Sequence, residues 1–161
     1  MATQALQAQI EAVMAQTGVP GVAVGIVYQD QEETIGVGIT NQHHPLPITP
    51  ETLFQIGSIS KTMTATVAMR LVELGKLALD TPICHYLPEF RLQDEDATRQ
   101  ATLRHLFTHT GGWVGDYFED TGMGDDALAR YVANMAALPQ LTPLGSLWSY
   151  NNAGFSLAGR V

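Results

Sequence analysis

The strand-forming signal of this chain is concentrated in one short stretch. Val22, Val24, Ile26 and Tyr28, with Ala23, Gly25 and Val27 between them, make an apolar β-rich run, and Thr34–Ile39 makes a second after the polar Gln29–Glu33. Branched and aromatic side chains suit a pleated surface, so the two runs predict a β-hairpin. A lone two-stranded hairpin is marginal in water and leaves sheet edges that native proteins cover. The chain is therefore expected to be α+β, with its sheet edges covered by further polypeptide or by a partner such as a second copy.

The remainder reads as helices and loops. From Thr3 to Gln16 the apolar Leu6, Ile10, Val13 and Met14 fall three or four apart, and the Gly18–Gly21 cluster ends that stripe. Residues 41–52 carry three prolines and read as a loop leading to Phe54 and a turn at Gly57. Met63, Val67, Leu71 and Leu74 then recur at helical spacing, with Gly75 in a C-cap position. Residues 78–101 read as turn-rich around Ile83–Leu87, and Thr102 as the cap of a short helix through Leu103, Leu106 and Phe107, closed by Gly111–Gly112. After a loop at 115–126, Asp125 or Asp126 opens a helix through Leu128, Tyr131, Val132 and Met135 that Pro139 halts. A last stripe starts near Asn152 and stops at Val161 after about three turns without a cap, so the chain is expected to break off in mid-element.

Composition removes several classes of function. Hydrophobic residues are 45% and charged residues 15% of 161 residues, which is globular rather than disordered and enough for one domain. Eight Lys+Arg against 16 Asp+Glu give a net charge of −8 with the bases scattered, so no nucleic-acid partner is expected. Cys84 is the single cysteine, which excludes an internal disulfide. Neither a leader pattern nor a run of about 18 apolar residues is present, so no membrane span is expected. Cytoplasmic location is the default, and periplasmic or secreted location follows if a signal peptide was removed.

Chemistry is carried by a few polar residues. Ser58 and Lys61 lie three apart at the start of the strongest helix, where they share a face and can meet. A serine becomes a nucleophile only when a base takes its proton, and the positive end of a helix favours the developing oxyanion. The plain alternative is an N-capping serine followed by a solvated lysine. Tyr150-Asn151-Asn152 lies about 90 residues downstream in a loop leading into a helix. Tyr150 can act as general base on Ser58 and return the proton to the leaving group, and Asn152 can contact a substrate amide or hold Lys61. Against that stand a core-edge tyrosine and an asparagine N-cap.

Three segments together carry a family resemblance: Phe54-Gln55-Ile56-Gly57-Ser58-Ile59-Ser60-Lys61-Thr62, Leu103-Arg104-His105-Leu106-Phe107-Thr108-His109-Thr110-Gly111-Gly112, and Trp148-Ser149-Tyr150-Asn151-Asn152-Ala153-Gly154-Phe155. Their order and content resemble the serine β-lactamase and penicillin-binding-protein superfamily, in which Ser-x-x-Lys marks the nucleophile. The resemblance is greatest to the branch of class C β-lactamases, D-aminopeptidases, DD-carboxypeptidases and related esterases. It implies an α-β-α sandwich on an antiparallel sheet with a mostly helical insertion. Residues 1–161 would be the N-terminal portion of one catalytic domain: helix, two strands and loop over 1–60, helical region over 61–161. The C-terminal sheet portion would be absent.

The same resemblance implies a serine hydrolase that cleaves an amide or ester, in a β-lactam, D-amino-acid peptide or simple ester, through an acyl-serine intermediate. Ser58, Lys61 and Tyr150 would be catalytic, Asn152 would contact a small-molecule or peptide substrate, and no cofactor or metal would be needed. The family's Lys/His-Thr/Ser-Gly motif, which supplies the second oxyanion-hole donor, is not found in these residues. Losing one such donor typically costs about 10²–10³ in rate.

Two other readings compete. One is a non-catalytic binding or scaffold protein of the same fold. The other is a metal protein using His105 and His109, spaced like the histidines of H-E-x-x-H but with Leu106 where the glutamate would be. A structural role for both histidines is the better reading. His43 and His44 read as solvated, and the Asp116–Asp126 loop does not match a calcium loop. Trp113, Tyr117 and Phe118 read equally well as a cleft wall or as core.

Overall fold

The computed structural model describes residues 2–161, which form two compact units, one reaching to Gln55 and the other running from Ile56 to Val161. The first holds helix α1 (Ala2–Thr17) and strands β1 (Gly21–Tyr28) and β2 (Gln31–Gly38). The strands pair antiparallel from Gly21 opposite Gly38 to Tyr28 opposite Gln31. Only Gln29 and Asp30 turn the chain, both at positive φ (49° and 62°), the backbone of a type I′ hairpin turn. Gln31–Glu33, expected in the loop, are therefore strand. Their side chains are exposed, so the strand shows no apolar alternation there. The proline-rich loop folds back on β2, with the Ile48 N–H donating to the Gly38 carbonyl at 3.0 Å.

The second unit is helical. A 3-10 turn (Gly57–Ile59) runs into α2 (Ser60–Glu73), followed by α3 (Ile83–Tyr86), α4 (Glu95–Gln100), α5 (Leu103–Phe107), α6 (Ala127–Asn134), a 3-10 turn at Met135–Ala137, and α7 (Asn152–Arg160). Ile83, Phe90, Leu103, Leu106, Met135 and Leu157 are fully buried, and α7 packs on α2, α5 and α6. Trp113 joins this core, whereas Phe118 is exposed, which divides the aromatic cluster the sequence left undecided.

Two local details position the site. The Thr102 hydroxyl accepts the His105 N–H while the Thr102 N–H donates to His105 Nδ1, a reciprocal capping box that starts α5. On α2, Met63, Val67 and Leu74 are exposed. Its covered positions are Lys61, Thr64, Ala65, Ala68, Leu71 and Val72, and α2 packs on α7. Of the stripe that marks α2 in the sequence, Leu71 is half-covered, and Met63, Val67 and Leu71 line an open cavity with Ala158, Gly159 and Val161 at the end of α7.

Candidate active site

Ser58 stands in the 3-10 turn just before α2, entered through Gly57 at φ +52°, and its hydroxyl caps neither helix. Instead Ser58 Oγ accepts from Lys61 Nζ at 3.2 Å and from the Tyr150 hydroxyl at 2.7 Å. Lys61 Nζ also donates to Asn152 Oδ1 at 2.7 Å and lies over the faces of Tyr150 (4.9 Å) and Phe155 (5.5 Å). The plain reading of a capping serine with a solvated lysine does not describe this arrangement.

The N-terminus of α7 explains how Tyr150 and Asn152 reach the serine together. Asn151, not Asn152, is the N-cap: its Oδ1 accepts the Gly154 N–H at 2.7 Å and its Nδ2 donates to the Trp113 carbonyl at 3.1 Å. The cap is buried, so the residues on either side are held while their side chains stay free to act. The Gly115 carbonyl accepts the Asn152 and Ala153 N–H groups at 3.0 and 3.1 Å, and a Cβ on Gly115 would lie 2.6 Å from the Tyr150 carbonyl oxygen. A glycine is required for that approach.

Two residues that sequence reasoning did not place here complete the cluster. Asp116 Oδ1 accepts from Asn152 Nδ2 at 2.9 Å, turning the amide so that its oxygen faces Lys61. His109 Nδ1 accepts the Asn151 N–H at 3.0 Å, and its ring stacks on Tyr150 with centroids 4.6 Å apart. Asp116 lay in a stretch read only as an acidic loop, and the His109 contacts depend on a segment more than 40 residues away, which no local pattern signals. Among the described residues no group of three or more His, Cys, Asp or Glu is placed to hold a metal. His105 Nδ1 is engaged with Thr102.

The electrostatics follow from these contacts. Hydrogen bonding to Ser58, then to Lys61, holds the Tyr150 phenol below the ordinary tyrosine range, and the Lys61 charge adds to this while Asp116 opposes it. Burial, and then the Lys61 charge, holds His109 below the ordinary histidine value. Lys61 and Asn152 line a cleft of about 590 Å³, with Ser60, Tyr117, Phe118 and Phe155 among its walls.

A family model described as Beta-lactamase matches residues 6–161. The chain belongs to the beta-lactamase family. It is 35% identical over 155 residues to penicillin-binding protein 4 of Amycolatopsis lactamdurans, covering 96% of this chain and 41% of that protein. Esterase EstB of Burkholderia gladioli is 32% identical over 130 residues, covering 72% of this chain and 33% of its own. A crystal structure of a class C beta-lactamase in complex with cefoxitin superposes with a TM-score of 0.79 at 26% identity, over 98% of this chain and 42% of that one. This beta-lactamase-family chain thus has the α+β fold of the class C enzymes and spans about two fifths or less of the length of these relatives. No described helix is long and apolar enough to cross a membrane.

Proposed function

We propose that this chain carries the nucleophile half of a serine hydrolase acting on an amide or ester carbonyl, as the N-terminal portion of one catalytic domain. The observation that carries the reading is that one hydroxyl, Ser58 Oγ, is within hydrogen-bond distance of both Lys61 Nζ and the Tyr150 oxygen. In the attacking state Tyr150 is the phenolate, and the 2.7 Å contact runs in reverse, from Ser58 to Tyr150. Ser58 Oγ bonds to the carbonyl carbon as its proton passes to Tyr150. The carbonyl's bond to the leaving nitrogen or oxygen then breaks, and Tyr150 delivers the proton to the departing group. Water then bonds to the acyl carbon as its proton passes to Tyr150, and Tyr150 returns that proton to Ser58 Oγ as the acyl–serine bond breaks and the acid leaves. The Lys61 ammonium stabilises the phenolate and orients Ser58, the Ser58 N–H supplies one oxyanion donor, and Asn152 meets the substrate beside Lys61.

The breadth of this reading is supported by relatives named for penicillin binding and for esterase activity, which match 96% and 72% of this chain. The test is hydrolysis of a chromogenic cephalosporin, a D-alanyl peptide and a nitrophenyl ester by the complete polypeptide that contains this chain. Turnover of at least one substrate, lost in Ser58→Ala, is expected. Turnover that survives Ser58→Ala overturns the proposal, and binding without acylation supports the scaffold reading instead.

A further inference from the structure

His109 holds the Tyr150 segment from three directions. Its carbonyl accepts the Ser149 N–H at 2.9 Å, its Nδ1 accepts the Asn151 N–H at 3.0 Å, and its ring stacks on the Tyr150 ring between those two anchors. The same ring lies 5.2 Å from Phe155 and edge-on to Trp148, so it fills the space beneath the tyrosine. Its backbone is left-handed, φ 55°, a conformation that costs a non-glycine residue free energy and persists where the surroundings enforce it. The Tyr150 hydroxyl reaches Ser58, and Lys61 Nζ lies 4.9 Å from the centroid of its ring.

From this geometry we infer that His109 is a positioning residue for Tyr150: the neutral imidazole, accepting at Nδ1 and stacking as a platform, sets where the phenol meets Ser58. The inference rests on the function proposed above. An N–H donated into Nδ1 requires that nitrogen to be unprotonated, so the ring carries its proton on Nε2. The ionisable groups facing the ring are Lys61 from α2 and the Tyr150 phenol. Burial, and then the Lys61 charge, disfavour an imidazolium at this place.

Two variants separate the two contacts. His109→Asn retains an acceptor and tolerates the left-handed backbone but removes the platform, and His109→Phe retains the platform but removes the acceptor. In the complete polypeptide, each is expected to slow Ser58 acylation by about 10–10²-fold through kcat with little change in KM, as a small misplacement of a reacting group does. The second readout is independent of turnover. With tyrosine labelled at the ring carbon bearing the hydroxyl, the Tyr150 titration read by NMR is expected to move upward in both variants as the phenol loses its contact with Ser58. In the wild type, nitrogen NMR is expected to show His109 as the Nε2–H tautomer at neutral pH.

An unmoved Tyr150 titration in a folded variant, or a His109 ring protonated on Nδ1, overturns the inference. If neither variant folds, the wild-type tautomer decides it. If Ser58 is never acylated while the NMR results hold, the proposed function fails and the positioning of Tyr150 by His109 stands.

Discussion

Between Tyr150 and Asn152 stands a residue whose work is wholly structural. Asn151 caps α7 and binds the Trp113 carbonyl, while Asn152 beside it engages Asp116 and Lys61 with the two ends of its amide. The two asparagines should therefore separate stability from activity. Asn151→Ala is expected to destabilise the fold by about 1–2 kcal/mol, because a cap is lost and a buried carbonyl loses its donor. Asn152→Ala is expected to cost less stability than Asn151→Ala and to slow Ser58 acylation instead. Urea unfolding together with acylation kinetics checks both, and the reverse pattern would contradict the assignment. Sequence alone pointed to Asn152 as a substrate contact, a holder of Lys61 or a cap, and the structure shows it holding Lys61. Choosing between them required the backbone direction at Gly115, which a motif does not record. Asp116 and His109 were illegible as site residues for the same reason, since their partners are 36 and 42 residues away.

Elements with a strong local signal were legible, and short or one-sided ones were not. The caps at Thr102 and Gly75, the stop at Pro139 and the hairpin all follow from side-chain chemistry that acts within a few residues. Helix α4 was missed because six residues show no stripe, although Asp94 accepts the Ala97 N–H at 2.8 Å and Glu95, Asp96 and Arg99 suit the helix ends. Along α2 the register was legible but the degree of cover was not: Met63 and Val67 of the stripe stay exposed, while the small Ala68 is buried and Lys61 reaches Asn152 on α7. Helix α5 bears on the site directly: it is followed by His109, and its buried Leu103 and Leu106 tie it into the core. Thr102→Ala is expected to cost about 1 kcal/mol and Leu103→Ala about 2–5 kcal/mol, measured by chemical denaturation. Equal effects from the two would contradict the placement of Leu103 in the core.

Across the whole molecule, the site belongs to the unit that contains the main core. Ser58 and Lys61 stand at one end of that unit's sequence and Tyr150 and Asn152 at the other, so the cluster exists only when the unit is folded. His105 and His109 are both held below the ordinary histidine value of about 6.5, chiefly by burial. The unfolded chain then takes up those two protons first, so their contribution to stability is complete above about pH 6.5 and is lost as pH falls through the lower folded values. A thermal midpoint that falls between about pH 7.5 and 5.5 is expected. The fall should be shallower in His105→Gln, which keeps a capping-box residue without the titration. A midpoint constant across that range would contradict it.

The proposed function requires Ser58 to be an activated nucleophile. Its most direct test is the intact mass of the complete polypeptide before and after a serine-reactive fluorophosphonate, with Ser58→Ala alongside. One phosphonyl adduct on the wild type, located at Ser58 and missing from the variant, is the expected result. An adduct that persists on Ser58→Ala, or none on a folded wild-type protein, would contradict Ser58 as the nucleophile.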